Sequence, residues 1–495
     1  MANNTSYKNI FQTTFLFGFV QIFNIAVKVC LNKVVAILLG AEGMGMISLF
    51  HNASGMLKTG CGLGINQSAV RDVSEARHSN AEERISLVMA VTKKVIVLTS
   101  LFGILLTAIM SPLLSKWTFG SNEYVIPFLG LALVVGMMIY ADGQLAILTG
   151  MRRMKDLAKA NLMGSFVGLV TAIPFYYMWG TAGIVPSLMM TSLCSLFFSL
   201  YFVRKIAVKP ASISLKLCLK ESRPMVKMGV ALMLVSFMGY AFAFIVSSYI
   251  RYKTGLQDVG YYQAGATIIA SYFGIVLSSM TTDYYPRISA INADNKLVEK
   301  EMNSQAETGL IMIFPIAVLF VWLAPQFLHF LYSDDFLVAT QYTDFAIVGT
   351  VTIVVSNCIG MILLAKQAAK LFILSVLFQR LINLAVYAIL YSLFGLRGLG
   401  FAYIFYGGLH LIVTSVIVGY NYKIHATLKI YALLLMVVAF IVLAYFFREI
   451  ETRWISISLG GLLTMTSVLI SCWYMKRFMK LDLLQAVRNK ISKSK

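Results

Sequence analysis

Unbroken apolar runs of 20 residues or more recur about every 30 residues from one end of this chain to the other. As a helix, such a run crosses the roughly 30 Å hydrocarbon core of a bilayer, whereas membrane barrel strands are about ten residues of alternating polarity. A helix also satisfies its backbone polar groups within one segment, which lipid demands. The chain therefore reads as an all-α polytopic membrane protein. Its 495 residues are 59% hydrophobic and only 13% charged, with mean hydropathy +0.79, far more apolar sequence than a soluble core needs.

We count about 14 transmembrane helices, over 10–38, 43–69, 86–114, 124–149, 157–179, 182–203, 226–250, 259–285, 306–331, 341–365, 370–393, 398–419, 427–447 and 454–475. The net charge of +20 would suit nucleic acid, but its distribution argues otherwise. Alternate loops hold 31 of the 41 Lys and Arg residues, the opposite loops hold six, and four (Lys28, Lys33, Lys58, Arg380) lie inside spans. That asymmetry is the positive-inside rule, and it places both termini in the cytoplasm. Trp117, Trp179 and Trp454 fall at outer boundaries and Trp473 near an inner one, as interfacial aromatics do. The six cysteines are scattered without metal or disulfide spacing, and neither cofactor nor metal is expected. The first run is too long for a cleavable signal, carries Lys28 and Lys33, and reads as the first span.

An internal repeat with an offset of 215 organises the chain. Gly40-Ala-Glu-Gly-Met-Gly45 returns as Gly255-Leu-Gln-Asp-Val-Gly260, and the same shift maps Ser74 on Ser289, Lys155 on Lys370, Gly180 on Gly395 and Gly183 on Gly398. The offset passes an even number of spans, so the halves share one orientation, as in other parallel-repeat transporters. The expected organisation is an N-lobe of six spans over 1–207, a cytoplasmic linker over 208–225, a six-span C-lobe over 226–422, and two extra C-terminal helices with a basic tail over 423–495.

Several fragments carry a family resemblance. Leu39-Gly40-Ala41-Glu42-Gly43-Met44-Gly45, followed by a glycine-rich span ending Arg71-Asp72, resembles the Wzx-type O-antigen and enterobacterial common antigen flippases of the MOP superfamily. Asp258-Val259-Gly260-Tyr261-Tyr262-Gln263, Tyr285-Pro286-Arg287-Ile288-Ser289, Phe330 to Phe336, and Leu364-Ala365-Lys366 extend the likeness through twelve spans. The resemblance implies transport of an undecaprenyl-diphosphate-linked glycan from the inner to the outer leaflet of the bacterial cytoplasmic membrane. It also implies H⁺ or Na⁺ as counter-ion, and no enzyme activity. Spans 13 and 14 exceed the short Wzx forms, and either bind lipid, as in the related lipid II flippases, or merely pack.

Charges at membrane depth cost roughly 3 kcal/mol or more each, so they face a protein interior or a watery cavity. On the first span Gln21, Asn24, Lys28 and Asn32 share an arc of about 80°, and on the second His51, Ser54 and Lys58 share a similar one. Arg380 shares a face with Asn383, Tyr387 and Tyr391. Lys28, Lys58 and Arg380, with Gln21, Asn24 and Asn32, are the expected walls of a cationic cleft for a diphosphate. Lys58 has a charge pair as its other reading. Arg71, at a span end, either greets the head group or obeys the charge bias. Asp142, Asp283 and Asp344 are candidates for ion coupling; Asp142 equally suits neutralising a lysine, and the other two lie close to loops. His410 suits packing better than titration, and Tyr261, Tyr262, Tyr284 and Tyr285 are weaker candidates for stacking on sugars.

These residues point to a flippase for a polyprenyl-diphosphate-linked oligosaccharide, an O-antigen-like repeat unit, working by alternating access beside membrane lipids and polysaccharide polymerase partners. A lipid II flippase and a MATE-type multidrug exporter are the rivals. The exporter should carry acidic residues where this chain carries lysines. A channel-forming protein fits the duplication poorly, and a polymerase or ligase would need a larger outer loop.

Overall fold

The computed structural model of the protein describes residues 23–78, 81–208 and 211–478, and among these no strand forms. The chain divides into two compact units, Met1–Gly260 and Tyr261–Lys495. The first holds α1 (23–38), α2 (Gly40–Cys61), α3 (Ile65–His78), α4 (Glu82–Phe119), α5 (Val125–Gly150), α6 (Met154–Trp179), α7 (Ile184–Arg204), α8 (Leu215–Thr254) and the start of α9 (Leu256–Thr267). The second continues through a π-helical turn, Ile268–Phe273, into α10 (Gly274–Ala290), α11 (Asn295–Trp322) and α12 (Ala324–Leu331). It ends with α13 (Thr340–Ala365), α14 (Ala369–Tyr422), α15 (Leu428–Arg448) and α16 (Arg453–Phe478). Among the described residues nine helical stretches are long and apolar enough to cross a membrane. Two of them, Met154–Arg204 and Ala369–Tyr422, each contain two of the expected spans.

α4 shows why such helices belong in lipid. Between residues 99 and 111 its buried face is small and largely hydroxylic (Thr99, Ser100, Gly103, Thr107, Ser111), while Leu101, Phe102, Leu105 and Ile109 point outward. In water that arrangement would be inverted. In a bilayer the chain solvates its large apolar side chains with lipid tails and packs helices through small ones. Ser100 reinforces the contact by donating to the Gly136 carbonyl of α5 at 2.7 Å.

The repeat is visible in the backbone as well as in the letters. Gly180 (φ 54, ψ −131) breaks the helix between α6 and α7, and Gly395 (φ 59, ψ −138) breaks α14 in the same conformation. Positive φ of this kind is open to glycine and disfavoured for residues with a Cβ. Three residues after each break, a Cβ on Gly183 would meet the Phe175 carbonyl at 2.2 Å, and one on Gly398 would meet that of Leu390 at 1.9 Å. Those partners are also 215 apart. The turns before α6 and α14 match bond for bond: Met151, Arg152 and Arg153 donate to Ile147, Thr149 and Leu148, as Lys366, Gln367 and Ala368 donate to Ile362, Leu364 and Leu363. Arg152 and Gln367 both take positive φ, at 53 and 58.

Two expected boundaries differ. The second span, expected as one helix over 43–69, breaks between α2 and α3, where Leu63 (φ 49) and Gly64 (φ 62) leave helical geometry. Within the expected linker over 208–225 the chain is already helical from Leu215, with Ser214 accepting from the Leu217 amide at 3.2 Å as the cap of α8.

Candidate functional site

The break between α2 and α3 sits beside a polar cavity of the first unit. Lys58 occupies the last turn of α2, and its Nζ donates to Asp142 Oδ2 on α5 at 2.8 Å. The pair borders a cavity of about 210 Å³, lined also by Thr59, Asn66, Gln67, Ser236 and Tyr240, which leaves the side chains 22% and 32% exposed. All other lining residues are uncharged. Six residues earlier on α2, Asn52 donates to Ser247 Oγ on α8 at 3.2 Å.

Glycines let the three helices close on this cavity. The ring of Tyr240 lies against Gly55, and the Gly229 carbonyl lies where a Cβ on Gly64 would sit, 2.0 Å away. Gly64→Ala should therefore combine roughly 1–2 kcal/mol of left-handed strain with about 1–3 kcal/mol of overpacking. The measurement is thermal unfolding of the purified protein, and an unchanged midpoint would show that α8 yields to the methyl group.

The other expected cleft residues are placed as follows. Gln21 lies outside the described residues. Lys28 on α1 is exposed, with Asn24 and Asn32 half-buried, and the Asn24 carbonyl oxygen is enclosed without a hydrogen-bond partner among the described atoms. Lys28 and Lys58 both act on the His51 ring at Coulombic range. Arg71 bonds Asp72 at 2.8 and 2.9 Å and borders a separate cavity of about 290 Å³, where Arg84 and Lys220 face Glu75 and Glu221.

Arg380 belongs to the second unit, its guanidinium 5.2 Å from the centre of the Tyr406 ring. Beside it Ser375, Gln379, Asn383, Tyr387 and Tyr391 form a buried column along α14 at four-residue intervals. The side-chain amide of Gln379 and the Asn383 carbonyl oxygen are buried there without partners. His410 shares a 2.5 Å hydrogen bond with Ser356, a packing role. Of the four tyrosines weighed for sugars, Tyr262 packs edge-on against Tyr342, Tyr261 against Phe336, and buried Tyr284 donates to the Cys358 carbonyl at 3.0 Å; Tyr285 is exposed.

The carboxylates separate clearly. Asp344 is held by Arg448 through two hydrogen bonds, 2.9 and 2.7 Å, with the side chains 4% and 12% exposed. Asp283 is exposed and pairs with Arg287 one turn on, at 3.0 Å. Asp142 borders the cavity at Lys58. Arg448 and Tyr240 are not legible in the sequence as partners of Asp344 and of the cavity at Lys58, because no periodicity links residues so far apart in the chain.

A family model described as "Polysaccharide biosynthesis protein" matches residues 10–292, more than half of the chain. The chain belongs to that family. The chain is also similar to the lipid III flippase of Escherichia coli (strain K12), 22% identical over 361 residues, covering 69% of this chain and 82% of that protein. Among solved structures, lipid II flippase MurJ in an inward closed conformation shares the fold, with TM-score 0.71, 16% identity, and 94% and 99% of the two chains covered. An inward-facing multidrug resistance MATE transporter of the MOP superfamily also shares it, with TM-score 0.57, 18% identity, and coverage of 83% and 98%. This member of the polysaccharide biosynthesis protein family is thus a multi-pass membrane protein with a fold found in flippases and exporters.

Proposed function

We propose that the protein is a flippase that carries a polyprenyl-diphosphate-linked oligosaccharide, an O-antigen-like or common-antigen-like unit, from the inner to the outer leaflet of the bacterial cytoplasmic membrane. The observation that carries this reading is Lys58: a cation that faces a cavity between helices, in a chain of the polysaccharide biosynthesis protein family. An ammonium in a low-dielectric site makes charge-assisted hydrogen bonds to phosphate oxygens far stronger than it would in water. A cavity of about 210 Å³ is smaller than the roughly 300–1,000 Å³ of drug-sized sites, so it suits a head group rather than a glycan. Lys28 and Arg380 are the further cationic candidates, and the name of the Escherichia coli relative supports a lipid-linked substrate.

The two repeats work by alternating access, coupled to H⁺ or Na⁺ entry, with the termini in the cytoplasm on the side holding 31 of the 41 basic residues. Lys28 and Lys58 on the first repeat's polar faces weigh against an exporter of cationic drugs, since the one carboxylate of the cavity, Asp142, is already paired with Lys58. The test is complementation of a flippase-deficient strain. Lys28→Ala with Lys58→Ala should reduce surface polysaccharide at least about tenfold, a loss of about 1.4 kcal/mol in head-group affinity. Unchanged polysaccharide at normal protein abundance would remove the cationic seat.

A further inference from the structure

Lys58 does not meet an incoming anion alone, because Asp142 already occupies it. We propose that Asp142 is a charge filter: it keeps singly charged phosphodiesters, the head groups of the surrounding bulk phospholipid, off Lys58 and yields to a diphosphate diester carrying two charges. The inference rests on the flippase reading of this cavity and names what that cavity selects.

The geometry supplies the filter. Asp142 Oδ2 lies 2.8 Å from Lys58 Nζ, and the remaining polar groups of the cavity (Thr59, Asn66, Gln67, Ser236, Tyr240) are neutral. An anion reaching Lys58 must separate this pair, at a cost that is the same whichever anion enters. The attraction gained at Lys58 grows with the anion's charge. A single phosphodiester exchanges one negative charge for another and leaves the carboxylate unpaired, so it gains nothing. A diphosphate diester brings a second charge on a second phosphate, each hydrated no more strongly than a phosphodiester. The neutral hydroxyl and amide donors around the cavity can hold that second phosphate. A membrane protein needs such discrimination because singly charged phospholipids surround it in great excess. It is built by opposing the wrong ligand as much as by attracting the right one.

The same arrangement makes Asp142 ill-suited to drive export. Protonating Asp142 would free Lys58, so proton uptake and anion binding would support each other by linkage. Export driven by proton entry requires the two to exclude one another. Asp142 at this cavity therefore serves selection.

The experiment is calorimetric titration of the full-length protein in detergent with two probes: P1,P2-dimethyl diphosphate, which carries two charges, and dimethyl phosphate, which carries one. Wild type should bind the diphosphate at least about tenfold tighter than dimethyl phosphate, and Asp142→Asn should bind both probes about tenfold tighter than wild type does, bringing dimethyl phosphate to the affinity that wild type keeps for the diphosphate. Lys58→Gln should bind neither. If wild type binds the diphosphate and Asp142→Asn binds dimethyl phosphate no tighter than wild type does, the filter is wrong and the head-group seat survives. If wild type binds neither probe, the seat itself is wrong. Asp142→Ser, a second neutral variant, gives the same comparison should the asparagine variant fail to elute as folded protein.

Discussion

Arg448→Ala lowers the unfolding free energy by about 3–5 kcal/mol, the loss expected when one partner of a buried ion pair is removed. Arg448 closes α15 and reaches α13 through two hydrogen bonds to Asp344, 2.9 and 2.7 Å long, while also donating to the Val321 carbonyl near the end of α11 at 3.0 Å. Truncation leaves a carboxylate that is 4% exposed without its counter-charge. Thermal unfolding in detergent measures the loss. The double variant Arg448→Met with Asp344→Leu should regain most of it, because replacing a buried pair by apolar side chains is often neutral or better. A single variant within about 0.5 kcal/mol of wild type, the usual range for surface changes, would show that the pair contributes nothing.

This clamp has a counterpart at the other end of α15. Glu307 on α11 accepts from Lys429 at 3.0 Å and from Tyr474 on α16 at 2.9 Å, and Ser471 on α16 donates to the Ile311 carbonyl at 3.1 Å. α15 is thus fastened to α11 by polar groups at both ends, and α16 by two near its C-terminal end. Their outer faces carry Leu435, Leu443, Trp454, Leu462 and Leu469, exposed as lipid-facing side chains are. Asp344, weighed as an ion-coupling group from sequence alone, is a structural part of this attachment.

What the sequence displays is whatever repeats at a fixed interval. Apolar runs a bilayer thick show the spans, and the offset of 215 shows the duplication, because each repeat needs the same glycine at the same break: Gly180 and Gly395 adopt matching conformations. The faces of Lys58 and Arg380 are legible for the same reason, since helical periodicity is local. What the sequence hides is partnership. Lys58 and Asp142 are 84 residues apart and Asp344 and Arg448 are 104 apart, and nothing in a helical wheel says which cation meets which carboxylate. The break between α2 and α3 is hidden differently. Gly62 and Gly64 lie inside an apolar run, where hydropathy reads straight through them, and the reason for the break is the backbone of α8 at Gly229.

Gly45→Ala and Gly260→Ala each destabilise the protein by about 3 kcal/mol, the upper end for overpacking, because in both cases the obstruction is backbone rather than a side chain that can turn away. A Cβ on Gly45 would lie 2.1 Å from the Leu256 carbonyl, and one on Gly260 would lie 1.9 Å from the Ala41 carbonyl. Gly45 and Gly260 are 215 apart, and so are Ala41 and Leu256, so the two contacts are halves of one crossing between α2 and the start of α9 inside the first unit. This symmetry predicts how the substitutions combine. Either methyl group forces the same separation of the two helices, and once they have moved apart the second methyl meets less resistance. The double variant should therefore unfold only slightly more readily than either single one, a coupling of opposite sign to the single losses and of about 1–3 kcal/mol, as for residues sharing a backbone shift. Thermal unfolding of the four proteins in one detergent measures it. Strictly additive losses would mean that the two glycines are accommodated independently, and the crossing would then be two separate contacts.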